Sequence, residues 1–186
     1  MKIILASASP RRYEILKAQG YNPTVFPSNY DEQINGLKYS DILVENCAYQ
    51  KALDVKNCLG DNELIISADT VVVNNGVILG KPKDKNEAIV MLSDLSDKTH
   101  FVATSICLMF KNQIIKATDK TYVTFRNLSK TDILNYIENY KPFDKAGSYG
   151  IQDEGFDFVV QINGELDNVI GFPLKLFKEK LNELVV

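Results

Sequence analysis

Six charged residues on five segments of this 186-residue chain have the chemistry to act together: Arg11, Arg12, Glu32, Lys51, Asp69 and Lys81. Cationic side chains neutralise the charge that builds on a departing phosphate, and paired carboxylates bind a divalent cation. The set therefore indicates metal-assisted attack on a polyphosphate. Whether the six side chains meet depends on how the fold places their segments.

The chain lacks the sequence motifs of other common catalytic mechanisms. There is no GxSxG, Walker A or GxGxxG motif, and none of the three cysteines lies in a nucleophile motif. His100 is the only histidine, which rules out a zinc site built from several histidines and favours a structural role for this residue.

The segment Ser7-Ala8-Ser9-Pro10-Arg11-Arg12 joins the end of a predicted strand to the start of a predicted helix that Ser9 can cap. Free backbone N–H groups and the positive end of the helix dipole favour an anion there. Two arginines in the first turn oppose that dipole at a cost of about 0.3–1 kcal/mol each, which a bound phosphate would offset. The alternative is a capped helix with two solvated arginines.

Three other candidates have an ordinary structural alternative. Asp69 lies between two apolar runs, so we expect its carboxylate at the end of a strand, where an aspartate often only forms a turn. Glu32 and Lys81 lie in polar loops and would by themselves be surface residues.

Lys51 shares a helical face with Val44, Ala48 and Val55. A lysine is rarely placed on an apolar face unless it meets a carboxylate or a phosphate. We expect it to lack a partner until substrate binds, so that its replacement by methionine would leave stability unchanged or raised. A structural ion pair is the alternative.

Hydrophobic periodicity predicts strands that alternate with helices. The predicted strands cover residues 2–6, 24–26, 63–68, 71–73, 77–79, 100–110, 114–117, 121–125 and 156–162, and the predicted helices cover residues 10–19, 40–56, 84–95, 129–140 and 174–184. Because several neighbouring strands form hairpins, we predict an α/β fold with a mixed central sheet flanked by helices, in a single domain over residues 1–186. The polar turns at 27–39, 80–85 and 141–155 are the expected sites of function.

Composition narrows the classes of partner. The chain has 21 Lys and Arg against 24 Asp and Glu, a net charge of −3, and no block of like charge. This charge distribution argues against duplex nucleic acid and against a membrane surface as binding partners. Three dispersed cysteines without CxxC spacing, and apolar runs too short to cross a bilayer, predict a soluble cytoplasmic protein.

Five segments resemble the signature segments of the Maf family of nucleoside triphosphate pyrophosphatases, in family order over nearly the whole chain. They are residues 5–12, 66–72, 80–82, 144–152 and 168–173. The resemblance implies an α/β fold in which the sheet forms two lobes around a deep groove, similar to the inosine-triphosphate pyrophosphatases. It also implies hydrolysis of nucleoside triphosphates to monophosphate and pyrophosphate with Mg²⁺ or Mn²⁺.

The same resemblance implies roles for individual residues. Asp69 matches the proposed catalytic acid/base, and Glu32, Lys51 and Lys81 match the other catalytic positions. Glu32 and Asp69 would hold the cation, and the four cationic side chains would neutralise the departing pyrophosphate. The positions expected to bind substrate are Ser7, Ser9, Arg11, Arg12, Thr70, Tyr149 and Gln152, the last two as a wall beside the base.

Arg11, Thr70 and Gln152 resemble the subfamily that acts on dTTP and UTP rather than the one that acts on 7-methyl-GTP. A glutamine amide can donate to O4 and accept from N3–H of thymine or uracil. The chain departs from the family at Asp153-Glu154, because a glycine usually follows the glutamine.

Three alternatives to a dTTP/UTP pyrophosphatase stay open. They are a 7-methyl-GTP pyrophosphatase, a pyrophosphatase for modified or non-canonical nucleotides, and a nucleotide-binding regulator of cell division with incidental hydrolysis. The expected partner is a small-molecule nucleotide, with no duplex nucleic acid and no membrane, and a homodimer is left open.

Overall fold

The computed structural model of the protein describes residues 2–60 and 62–184, and seven strands in this part of the chain form one sheet. The strands are β1 (Ile3–Leu5), β2 (Thr24–Val25), β3 (Leu64–Asn74), β4 (Val77–Leu79), β5 (Thr99–Phe110), β6 (Gln113–Phe125) and β7 (Val159–Asn163). The helices are α1 (Pro10–Ala18), α2 (Asp41–Leu59), α3 (Lys85–Leu95), α4 (Lys130–Tyr140), α5 (Leu166–Ile170) and α6 (Leu174–Asn182), with a 3₁₀ helix at Ala146–Ser148.

The sheet is mixed, and helices cover both of its faces. Its order is β2-β1-β3-β5-β6-β7, with β1 parallel to β2 and β3 and the remaining pairs antiparallel, including β4 with β3. Side chains of α2 pack with Ile65 and Cys107 on one face, whereas α1 and α6 pack with Ile66 and Leu108 on the other. The predicted α/β fold with a mixed central sheet is confirmed.

An opening in this sheet lies along one edge of β3. The other edge pairs continuously with β5. On the open edge, β1 covers Leu64 to Ile66 and β4 covers Val72 to Asn74, and no other strand in residues 2–60 and 62–184 pairs with the residues between them. Asp69 lies at the middle of this opening. The diverging strands therefore create a groove with a carboxylate at its base.

The predicted position of Asp69 at a strand end is wrong. Residues 63–68 and 71–73, predicted as two strands, belong to the single strand β3, and Asp69 is paired in register with Ser105 of β5. The strand continues through this buried aspartate because Lys51 on α2 compensates its charge.

Other element boundaries also differ from the sequence prediction. Residues 114–117 and 121–125 lie in one strand, because β6 pairs with β5 along its whole length and the polar residues between them stay in the ladder. β7 begins at Val159 rather than at residue 156. α5 is absent from the sequence prediction because it has only five residues and no side-chain cap. α6 ends at Asn182 rather than at residue 184.

The predicted apolar face of α2 is confirmed. Val44, Ala48, Lys51 and Val55 are all buried, and Ser40 begins the helix by accepting a hydrogen bond from the N–H of Leu43. The helix thus carries its lysine onto the β3 surface. Within the described ranges, no helix combines the length and apolarity needed to span a membrane.

Asn168 holds α5 in the core. Its side-chain amide donates to the carbonyl of Val102 and to the hydroxyl of Thr121, each at 3.0 Å, and its main-chain carbonyl accepts from the hydroxyl of Thr104 at 2.9 Å. α5 leads directly into Gly171, whose carbonyl binds an arginine of the groove. The buried amide therefore helps to position the groove wall.

Replacing Asn168 with alanine should lower the free energy of unfolding by about 2–3 kcal/mol, because two buried acceptors lose their donor. Urea denaturation followed by circular dichroism measures this loss. Asn135, an exposed asparagine of α4, provides the control, and Asn135→Ala should change stability by less than about 0.5 kcal/mol. Equal losses in the two variants would contradict the role assigned to Asn168.

Candidate active site

A groove of about 670 Å³ opens beside the exposed edge of β3. All eleven residues predicted to form the site line it: Ser7, Ser9, Arg11, Arg12, Glu32, Lys51, Asp69, Thr70, Lys81, Tyr149 and Gln152. They come from the β1–α1 junction, the loop before α2, α2 itself, β3, the segment after β4 and the loop after α4. The fold thus brings the predicted set together.

Lys51 lies between the two carboxylates at the centre of the groove. Its ammonium contacts Asp69 Oδ1 at 2.6 Å, forms an ion pair with Glu32 Oε1, and donates to the carbonyl of Ala68 at 3.3 Å. Lys51 is only 8% exposed and Asp69 only 3%. The expectation of an unpartnered lysine is therefore wrong, and the alternative of a structural ion pair holds.

The pKa values of the two carboxylates are shifted in opposite directions. Burial raises the pKa of Asp69, and repulsion from Glu32 adds to this, whereas Lys51 opposes it. Partial burial also raises the pKa of Glu32, but Lys51, with Lys81 and Arg12, outweighs that effect and leaves the pKa lowered. Glu32 therefore stays ionised while Asp69 is the better proton acceptor of the two.

One oxygen of Asp69 is left without a partner. Oδ1 is bound by Lys51, but Oδ2 is buried and makes no hydrogen bond. A buried carboxylate oxygen without a donor is costly, which indicates that a ligand or cation belongs there. Asp69 and Glu32 offer the oxygen ligands that Mg²⁺ and Mn²⁺ prefer, so the residues present fit a divalent cation. In residues 2–60 and 62–184, no group of three or more His, Cys, Asp and Glu side chains is arranged to hold a metal.

Arg12 is held by three protein oxygens. Nε donates to the carbonyl of Gly171 at 2.9 Å, Nη1 to Ser7 Oγ at 2.9 Å, and Nη2 to Thr70 Oγ1 at 3.1 Å. Burial lowers the pKa of Arg12, and the nearby carboxylates oppose this shift. The guanidinium thus ties the β1–α1 junction to β3 and to the end of α5, and its charge has a fixed position before any ligand binds.

Arg11 contacts the protein more weakly. Its Nη1 lies 3.3 Å from Asp144 Oδ2 across the groove, and the two side chains are 28% and 62% exposed. An exposed pair of this kind contributes only about 0.2–1 kcal/mol, so a phosphate can displace Asp144. Asp144 and Lys145 also line the groove, and although they lie in a signature segment the sequence offered no role for them.

Ser7, rather than Ser9, supplies the hydroxyl at the β1–α1 junction. Ser9 occupies the cap position of α1, but its side chain makes no capping hydrogen bond, so this part of the prediction is wrong. Instead, the N–H of Ser9 donates to Ser7 Oγ at 3.2 Å, and the same oxygen accepts from Arg12. The junction is therefore ordered around the Ser7 hydroxyl.

Asn35, a residue that the sequence did not single out, connects the loops that carry Glu32 and Lys81. Its Oδ1 accepts from the N–H of Gly80 at 2.9 Å, and the carbonyl of Gly80 accepts from the N–H of Gly147 at 3.0 Å. Three loops of the groove thus meet at Gly80. A polar residue in a polar loop carries no signal for such a contact.

The residues predicted for the base side differ in exposure. Tyr149 lines the groove, but its hydroxyl contacts Nε2 of His100 at 2.8 Å inside the core. Burial raises the pKa of Tyr149 and lowers the pKa of His100 to about 4, which leaves the imidazole neutral. Gln152 is exposed at the mouth of the groove, and Thr70 contacts Arg12. Among these residues, Gln152 has the side chain most accessible to a ligand.

Residues 2–184 of the chain match the sequence profile described as Maf-like protein. The chain belongs to the Maf-like protein family. The matched range contains every signature segment on which the sequence resemblance was based.

Curated relatives of this Maf-like protein carry the name dTTP/UTP pyrophosphatase. One from Thermosipho africanus is 46% identical over 174 residues, which cover 94% of this chain and 88% of the relative. One from Caldicellulosiruptor saccharolyticus is 42% identical over 188 residues, covering 98% and 94%. The similarity therefore extends over nearly the full length of each protein.

Among solved structures, this Maf-like protein is similar to the Ham1 protein of Staphylococcus aureus. The TM-score is 0.52 at 14% sequence identity, and the match covers 98% of this chain and 99% of the other. At this identity the likeness shows a shared fold and nothing about activity.

Lys51→Met should lower the free energy of unfolding of this Maf-like protein by about 3–5 kcal/mol, because it leaves Asp69 and Glu32 without their shared cation. Chemical denaturation measures the loss. Adding Asp69→Asn to the same variant should recover much of it, because the buried negative charge is then removed.

Lys56, a partly exposed lysine near the end of the same helix whose ammonium donates to the carbonyl of Lys111, provides the matched control, and Lys56→Met should change stability by about 1 kcal/mol or less. If Lys51→Met were as stable as the unmodified protein, the ion pairs at the centre of the groove would contribute nothing to folding.

Proposed function

We propose that this protein is a nucleoside triphosphate pyrophosphatase that hydrolyses dTTP and UTP to the monophosphate and pyrophosphate. The observation that carries the proposal is the convergence, in one groove, of a buried carboxylate with a free oxygen, an ionised second carboxylate and several cations. The names of the curated relatives support the same activity and the same substrates.

Asp69 is the general base in this proposal. Water attacks the α-phosphorus, the carboxylate of Asp69 takes its proton, and the bond from the α-phosphorus to the bridging oxygen breaks as pyrophosphate leaves with the electron pair. A base is most effective when its pKa is close to the working pH, and burial moves the pKa of Asp69 in that direction. Lys51 keeps Asp69 and Glu32 together so that the geometry is set before substrate binds.

Arg11, Arg12 and Lys81 neutralise the phosphates. Arg11 exchanges its contact with Asp144 for a phosphate oxygen, and Arg12 provides a positive charge that is already fixed by Ser7 and Thr70. Charge develops on the departing pyrophosphate in a loose transition state, and fixed cations stabilise it there. Lys51 contributes less to this task than the sequence implied, because its charge is already paired with two carboxylates.

We propose Mg²⁺ or Mn²⁺ as the cofactor, with Glu32 and Asp69 as its protein ligands. When bound, such a cation neutralises triphosphate charge and polarises the phosphoryl group under attack. Mg²⁺ in nucleotide enzymes commonly uses one or two carboxylates together with substrate phosphates and water, which suits this pair.

The preference for dTTP and UTP rests on the names of the relatives and on Gln152, whose amide can complement the O4 and N3–H edge of thymine or uracil. We also propose a cytoplasmic location, which the free thiols of Cys47, Cys58 and Cys107 support.

With Mg²⁺ or Mn²⁺, the protein should release pyrophosphate from dTTP and UTP in preference to purine triphosphates and 7-methyl-GTP, and a chelator should abolish the reaction. Hydrolysis in ¹⁸O-water should place the label in the monophosphate, because water attacks the α-phosphorus. Phosphorus NMR measures both the products and the isotope position. Orthophosphate as first product, or label in the pyrophosphate, would refute the proposed reaction.

Asp69→Asn should lower kcat by at least about 10²-fold with the fold intact, because the amide keeps the shape but cannot accept the proton. Asp31, an exposed carboxylate that lines the same groove, provides the control for the loss of one negative charge. Asp31→Asn should keep most of the activity. Near-normal turnover by Asp69→Asn would mean that Asp69 is only a structural residue.

A further inference from the structure

The turn that carries Gln152 has a definite backbone geometry. The N–H of Asp153 donates to the carbonyl of Gly150 at 3.0 Å, so residues 150–153 form a four-residue turn with Gln152 at its third position. This turn forms part of the groove wall, and both Gly150 and Gln152 line the groove. The position of the Gln152 amide is therefore set by how firmly the two ends of the turn are held.

Both ends of this turn are bound to one atom, the hydroxyl oxygen of Tyr136. The hydroxyl donates to Asp153 Oδ2 at 2.5 Å and accepts from the N–H of Gly150 at 2.9 Å. The direction of each bond follows from the chemistry, because an ionised carboxylate accepts and a backbone N–H donates. Burial and the bond to Asp153 raise the pKa of Tyr136, so the phenol keeps the proton that it donates.

Tyr136 is itself held rigidly. It lies on α4, it is only 5% exposed, and its ring stacks on Tyr140 at 5.1 Å and packs against Phe156 and Phe158. The hydroxyl thus extends from a packed aromatic cluster to the groove wall. The turn is positioned by the core rather than by solvent-exposed contacts.

The side chains of Lys145 and Asp153 pack closely against Gly150. A Cβ at this position would lie 2.7 Å from Lys145 Cε and 2.9 Å from both carboxylate oxygens of Asp153. Lys145 in turn places its ammonium 4.0 Å from Asp153 Oδ2. The carboxylate of Asp153 is therefore enclosed between a phenol, a glycine and a lysine.

The two acidic residues that follow Gln152 have different surroundings. Asp153 points away from solvent and its side chain is 13% exposed, whereas Glu154 is exposed. The departure from the family pattern at Asp153 thus introduces a carboxylate that the Tyr136 hydroxyl holds, with the Lys145 ammonium 4.0 Å away, rather than a freely exposed one.

We propose that Tyr136 and Asp153 are positioning residues for base selectivity, and that they act by clamping both ends of the Gln152 turn. This inference rests on the proposed function, since it assumes that a nucleotide base meets Gln152. A clamped turn presents its amide at one place and distance, so a base with the wrong hydrogen-bonding edge cannot be accommodated by movement of the turn.

The test measures equilibrium binding, so that it does not depend on catalysis. The probes are the non-hydrolysable α,β-imido analogues of dTTP and dGTP. The measured quantity is the dissociation constant of the dGTP analogue divided by that of the dTTP analogue, both determined by calorimetry. In Tyr136→Phe the ring remains but both hydrogen bonds are lost, and the preference for the dTTP analogue should fall about 10-fold. Asp153→Ala should produce a similar fall, and Asp153→Asn, which keeps an acceptor, a smaller one.

Two further variants separate a positioning role from a loss of stability. Gln152→Ala removes the amide itself and should therefore cause the largest fall in the ratio. Adding Tyr136→Phe to this variant should lower the ratio no further, because the amide that the turn positions is already absent. Glu154→Gln changes the neighbouring exposed carboxylate and should leave the ratio unchanged. A merely destabilised protein loses binding sites for both analogues equally, so its ratio stays constant.

The proposal is overturned if the unmodified protein binds the two analogues equally, or if Gln152→Ala lowers the ratio while Tyr136→Phe and Asp153→Ala do not. The hydrolysis assay reports separately on the proposed function. A protein that fails to release pyrophosphate from dTTP but shows these shifts in binding would refute the proposed reaction and support the clamp.

Discussion

The ion pair between Lys51 and Asp69 is the interaction on which the rest of the site depends. An ionised carboxylate in the middle of a buried strand would cost several kcal/mol without a partner. Lys51 supplies that partner from α2 and also attracts Glu32, so one side chain assembles two carboxylates from different segments. This arrangement places a lysine on an apolar helix face, where its charge needs a carboxylate partner.

The position of the groove follows from the sheet. β1 and β4 cover the two ends of the same edge of β3 and leave its middle open, and successive residues there point to opposite faces. Asp69 therefore faces α2 and Lys51, while Thr70 faces Arg12 and the end of α5. One short stretch of strand thus supplies both the carboxylate and an anchor for the arginine.

The loops around the groove are held by specific hydrogen bonds rather than by regular secondary structure. Gly80 joins the Asn35 loop to the loop of Gly147, and the Tyr136 hydroxyl holds the turn of Gln152. Such contacts place polar side chains of long loops with little freedom to move, and the proposed function, in which the site orients a triphosphate and a base, requires this.

Sequence patterns alone predicted the residues that line the groove, the face of α2 that carries Lys51, and the mixed α/β fold. These features are local, because helical periodicity, strand patterns and contiguous motifs are visible within short windows of sequence. The three-dimensional fold was needed to show that Asp69 lies within a strand, that Lys51 is already paired, and that Asn35 and Tyr136 hold the loops. The reason is that each of these features is a contact between residues far apart along the chain, and local patterns do not specify which distant polar groups meet.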